Sequence, residues 1–178
     1  MLEALLYGLR EPFESIGAFI EAGGWVLPWI VIAALVMWAL IVERFWYFTF
    51  VFRKERAALT RQWRARPERK SWHAHQIRRM LISQANARMT GPLPIIKVIV
   101  PLCPLLGLLG TVTGMLEVFD AMAARGVADA RTMADGVSQA MIATLSGLAV
   151  SLSGIFFAGS FQTRSTVETE LLADALDY

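Results

Sequence analysis

Three stretches of this chain carry no Asp, Glu, Lys, Arg or His: residues 22–42, 98–116 and 136–163. About 20 predominantly apolar residues wound as a helix cross the hydrocarbon core of a bilayer. With three such runs in 178 residues, little chain is left for a separate soluble domain. Charged residues make up 18% of the chain, against roughly a quarter in a soluble domain. Backbone polar groups in lipid must be satisfied within the segment, which a helix does unaided. The expected fold class is therefore an all-α, polytopic membrane protein with three transmembrane helices.

Charge sets the expected orientation. Of the 17 Lys and Arg residues, 13 fall within 43–97, and cationic loops stay in the cytoplasm. The N-terminus and the 117–135 connection are then outside, and the C-terminus inside. Residues 1–21 hold Glu3, Glu11, Glu14 and Glu21 against Arg10, the wrong balance for a cleaved signal peptide. Trp25 and Trp29 sit at the outer end of the first span, and Phe45, Trp46, Tyr47 and Phe48 at its inner end, where amphipathic rings favour the interfaces.

These signals divide the chain into an outer amphipathic helix over 1–21, a first transmembrane helix with its inner aromatic end over 22–52, and a basic cytoplasmic helical loop over 53–94. A second transmembrane helix follows over 95–119, then an outer connection over 120–135, a third transmembrane helix over 136–163, and a helical cytoplasmic tail over 164–178. The alternative for 1–21 is an unstructured tail, since Pro12 interrupts its apolar spacing.

Pro67 splits the basic loop into two helices. Its arginines, among them Arg78, Arg79 and Arg88, are expected to meet anionic lipid headgroups rather than nucleic acid. The acidic tail is a second candidate occupant, through Glu168, Glu170, Asp174 and Asp177 and an apolar seam of Val167, Leu171 and Ala175. His73 and His75 form an isolated pair without further His or Cys nearby, so they read as solvated histidines. Cys103 is the only cysteine, which excludes an intramolecular disulfide and a cysteine-based metal site.

The spans differ in kind. Residues 30–42 are bulky and carry no glycine, which suits lipid contact. Small residues let helix backbones approach closely in a bilayer. Gly107, Gly110, Thr111 and Gly114 in the second span share an arc of about 100°, at 100° per residue. Gly136, Ala140, Ala143, Thr144, Gly147, Ser151, Gly154 and Ala158 share a similar arc in the third. The interior is thus expected between spans two and three, with span one outside. Thr111 and Thr144 fall at similar depth, while Thr113 points roughly opposite to Thr111 and is expected to bond its own helix. Proton relays need an ionisable group at membrane depth. This chain has none, so any ion work requires a partner's carboxylate.

The run PLCPLLGLLGTVTG (Pro101–Gly114), an acidic connection, and then SQAMIATLSGL (Ser138–Leu148) resemble the MotA/TolQ/ExbB proton-channel family, most of all its short ExbB branch. The resemblance implies a bacterial inner-membrane ion channel that forms a homo-oligomeric ring, a pentamer in this family. It implies an ExbD-like single-span partner supplying a membrane aspartate, and a TonB-like protein energised by the proton-motive force. It also implies channel-lining roles for Thr111 and Thr144, with Pro104, Gly107, Gly110, Gly114 and Ser151 around them. Glu43 and Arg44, which close the first span, look family-like and join the expected lipid or partner contacts. No cofactor, metal or enzymatic chemistry is implied. Gln139 stands where ExbB and TolQ often place a glutamate, Asp135 replaces a family proline, and Ser153 replaces another. A TolQ-like role in envelope maintenance and a non-conducting scaffold are the competing readings.

Overall fold

The computed structural model describes residues 17, 19–68, 71–125 and 130–176. Among them the regular structure is helical: α1 (Leu27–Trp46), a π-helical turn (Tyr47–Val51), α2 (Phe52–Arg64), α3 (Trp72–Thr90), α4 (Leu93–Arg125) and α5 (Ala130–Ala175). Three helical segments are long and apolar enough to cross a membrane, so the chain is an all-α, polytopic membrane protein. The amphipathic helix expected over 1–21 falls mostly outside the described residues, as do 126–129 of the connection after α4.

The chain divides into two compact units, Met1–Val36 with Ile99–Ser153, and Met37–Val98 with Gly154–Tyr178. In the first, α4 and α5 lie against each other along their small residues. A Cβ on Gly110 would stand 2.5 Å from the Ala143 Cβ, and one on Gly147 would stand 2.5 Å from the Cys103 carbonyl oxygen. Contacts this close are open only to glycine, and dispersion summed over them replaces the hydrophobic drive that lipid cannot supply. The start of α1 packs beside this pair. Val26, Leu27 and Ile30 are buried together, with Leu106 and Val150 against them. Trp29, Ile32 and Leu35 on the same helix remain exposed, as expected for a span on the outside of the pair.

The second unit has a core of Trp63 from α2, Ala74 and Ala85 from α3, and Leu172 and Leu176 at the end of α5. Ser71 caps α3 by accepting from the Ala74 N–H at 3.2 Å, and Pro67 lies in the break between α2 and α3. The acidic tail does dock on the basic loop, through Arg56 and Glu168 at 3.3 Å. The seam, however, is not the expected one. Leu172 and Leu176 are fully buried, whereas Val167 and Leu171 are 47% and 42% exposed. Rows 167/171/175 and 168/172/176 differ by one residue, so the helical phase turns Val167 and Leu171 outward, while Ala175 stays half-buried beside α2.

Candidate functional site

Each glycine of the second span that was expected to line a channel sits at the α4–α5 contact. Gly107, Gly110 and Gly114 are buried, facing Thr144, Ala143 and Ala140 respectively. This pairing fixes the antiparallel register. It places Thr111 about one helical turn, or roughly 5 Å, from the level of Thr144, so their depths are similar though not equal.

Helical phase then separates two flanks of the pair. Leu106 and Val150 touch the α1 cluster, Val26 lies beside Gly110, and the Gln139 amide lies beside Gly24. These contacts define the flank that α1 covers. At 100° per residue, Thr113 falls on that same flank. Thr111 and Pro104 fall on the other side of the glycine line, and Thr144 and Ser151 fall on the other side of the Ala143 line. Thr111, Thr144 and Pro104 are each half-buried there, while Ser151 is 6% exposed.

The hydroxyls are already engaged. Thr144 Oγ1 lies 3.2 Å from the Gly107 carbonyl across the helix contact and 3.2 Å from the Ala140 carbonyl on its own helix. Thr111 donates to the Leu108 carbonyl at 2.7 Å and Thr113 to the Leu109 carbonyl at 3.0 Å. Thr113 therefore bonds its own helix as expected, and so does Thr111. Each hydroxyl still offers its oxygen lone pairs as an acceptor. The runs that carry them, 98–116 and 136–163, hold no carboxylate, amine or imidazole.

The arginines expected at lipid or partner contacts divide sharply. Arg44 is 6% exposed. Its Nη1 donates to the Arg88 and Met89 carbonyls at 2.6 and 3.0 Å, and its Nε and Nη2 clamp the Glu43 carboxylate at 2.6 Å each. The cause is local. In a helix the Arg88 carbonyl would accept from residue 92, which is Pro92 and has no N–H. Arg44 supplies the missing donor, and its charge suits a helix C-terminus. It is an internal residue rather than a lipid contact. Arg78 likewise donates to the Ala173 and Leu176 carbonyls at 2.7 and 2.9 Å, capping α5. Arg88 is ion-paired with Glu55, which also accepts from the Tyr47 hydroxyl at 2.8 Å. Arg79 is exposed, and Glu43 remains half-exposed beside Arg44. The signal for Arg44 was legible as a proline one turn after a helical carbonyl, but only the fold brings residue 44 to it.

His73 is exposed with its ring edge-on to Trp72. Among the described residues no group of three or more His, Cys, Asp or Glu could hold a metal ion.

Comparison with known proteins gives the following. Residues 51–174 match the MotA/TolQ/ExbB proton channel family. The chain is 38% identical to the biopolymer transport protein ExbB of Helicobacter pylori, over 50% of this chain and 61% of that protein. It is 31% identical to the Tol-Pal system protein TolQ of Pseudomonas aeruginosa, over 49% of this chain and 38% of that one. It is 36% identical to a putative biopolymer transport protein, ExbB-like 3, of Synechocystis, over 36% of this chain and 32% of that one. The match thus spans less than two thirds of each of these relatives. No solved structure gives a significant match.

Proposed function

Since this chain belongs to the MotA/TolQ/ExbB proton channel family, a family of channel subunits rather than enzymes, we propose that it is the ring-forming channel subunit of an ExbB–ExbD-like complex in the bacterial inner membrane. A single-span partner inserts an aspartate beside Thr111 and Thr144, and the proton-motive force acting there energises a TonB-like protein for transport across the outer membrane. The N-terminus is outside and the C-terminus inside, by the cationic 43–97 segment. Free arginines of that segment meet anionic lipid.

One observation carries the reading. The α4–α5 pair turns two threonines to the flank that α1 leaves open, within runs that hold no Asp, Glu, Lys, Arg or His. A partner's carboxyl on that flank, when protonated, would find two hydroxyl oxygens able to accept from it and no competing charge. The similarity to TolQ supports a second reading on the same core, a Tol-type complex that acts in envelope maintenance.

Thr→Val keeps shape and removes the hydroxyl, while Thr→Ser keeps the hydroxyl. Energy-dependent uptake should fall in Thr111→Val and Thr144→Val, survive in Thr144→Ser, and survive in Thr113→Val on the α1 flank. Full uptake with both valine variants, at normal oligomer size, removes the ion-path reading. Loss of envelope integrity with intact uptake selects the Tol-type alternative.

A further inference from the structure

The exposed seam of α5 and an unspent basic stripe on α2 are complementary. Arg53, Arg56, Thr60, Arg61 and Arg64 line an open groove together with Ala57 and Ala175. Of its four guanidinium groups, among the described residues only Arg56 has an acidic partner, Glu168. Arg61 bonds its own helix at the Ala57 carbonyl, and among the described residues Arg53 and Arg64 make no hydrogen bond or ion pair. On α5, the face opposite the buried Leu172 carries Val167 and Leu171, with the exposed Glu170 and Asp174 beside them. At 100° per residue these four fall within one arc of about 100°.

We propose that this α5 face of one protomer seats in the α2 groove of the next copy of the same chain. Glu170 and Asp174 meet Arg61 and Arg64, and Leu171 covers Ala57. Three arguments select a second copy. The charges are opposite, and among the described residues Arg61 and Arg64 on one face and Glu170 and Asp174 on the other have no ion-pair partner. The stripe from Arg53 to Arg64 extends about 16 Å along the helix axis, so a lipid headgroup at the inner aromatic end reaches only its Arg53 end, whereas a helix matches its length. The two faces are also different patches of one unit, and a contact between unlike patches repeats around a ring when its rotation closes. The inference rests on the ring-forming reading above and names the contact that would close the ring outside the apolar spans.

The test uses the full-length chain, with Cys103 kept because it is buried. Differently tagged Ala57→Cys and Leu171→Cys chains are co-expressed and oxidised in native membranes. The mixed pair should give a disulfide-linked dimer carrying both tags, and each variant alone should give no more than the wild type. In parallel, Arg61→Glu with Arg64→Glu should lower the ring fraction by roughly tenfold in native mass spectrometry, as a few like-charge contacts per interface would. Adding Glu170→Arg and Asp174→Arg should restore it. An intact ring without the mixed dimer overturns the interface while leaving the channel reading in place. A wild-type chain that is monomeric in membranes overturns both. Loss of co-purified anionic lipid from the Arg61/Arg64 variant, with ring and dimer pattern unchanged from a negative wild type, assigns the groove to lipid and also overturns the proposal.

Discussion

The Thr144 hydroxyl on α5 lies 3.2 Å from the Gly107 carbonyl on α4, a side-chain link across a contact where Gly110 and Gly114 meet Ala143 and Ala140. The same oxygen that ties the two helices together stands on the flank that α1 leaves uncovered. A packing role and the proposed conducting role therefore fall on the same residue here, and they do not at Thr111, whose hydroxyl stays on its own helix.

Thr144→Val should accordingly lower the stability of the detergent-solubilised chain by about 1 kcal/mol, the usual worth of one such bond. Thr111→Val should cost less, because its hydroxyl joins no second helix. Denaturation followed by tryptophan fluorescence reads the difference. Equal losses would mean that the cross-helix bond contributes nothing of its own.

Gly147→Ala should be among the most damaging one-carbon changes in the chain. Its new Cβ would meet the Cys103 carbonyl oxygen at 2.5 Å, and backbone cannot swing aside as a side chain can. Gly159 has nothing within 4 Å of the same position. Gly159→Ala should therefore be neutral or gain up to about 1 kcal/mol from helix propensity. Membrane yield and thermal melting of the two variants, side by side, provide the check.

Arg44→Met should leave the Arg88 carbonyl without a donor, at a cost of about 1–3 kcal/mol for an unsatisfied buried acceptor. Pro92→Ala returns an N–H to the helix position that this carbonyl would ordinarily use. The double variant should thus lose less than the sum of the two single changes, by 0.5 kcal/mol or more. Strict additivity in a double-mutant cycle would separate the arginine from the proline.

Arg78→Ala should free the end of α5, since its guanidinium holds the Ala173 and Leu176 carbonyls. Hydrogen exchange at residues 172–176 should rise, with little change in α4. Arg79→Ala, exposed on the same helix, should leave that exchange unchanged.

The spans and their small-residue stripes were readable because both follow from composition and a 3.6-residue period. Gly110 and Gly114 must face something small whatever the partner, and Ala143 and Ala140 are there. The arginines were less readable. A count of positive charge in 43–97 says where the segment lies, but not that Arg44 turns inward to a carbonyl orphaned by Pro92, 48 positions away. The tail seam failed for a different reason. Val167/Leu171 and Leu172/Leu176 are both apolar rows at four-residue spacing, and nothing local tells which one the neighbouring helices will cover.

Between α1 and α2 the Phe52 N–H reaches back five residues to the Tyr47 carbonyl, so one turn holds a residue more than an α-turn needs. That surplus is a spare link in the chain's indexing. A one-residue deletion within 47–51 can be absorbed by winding the turn tight, with Arg44 and Trp63 keeping their present bearings. An insertion at the same place has no such slack to draw on, and would swing everything after it by about 100°. Length variation at this position should therefore run in one direction only, toward the shorter turn.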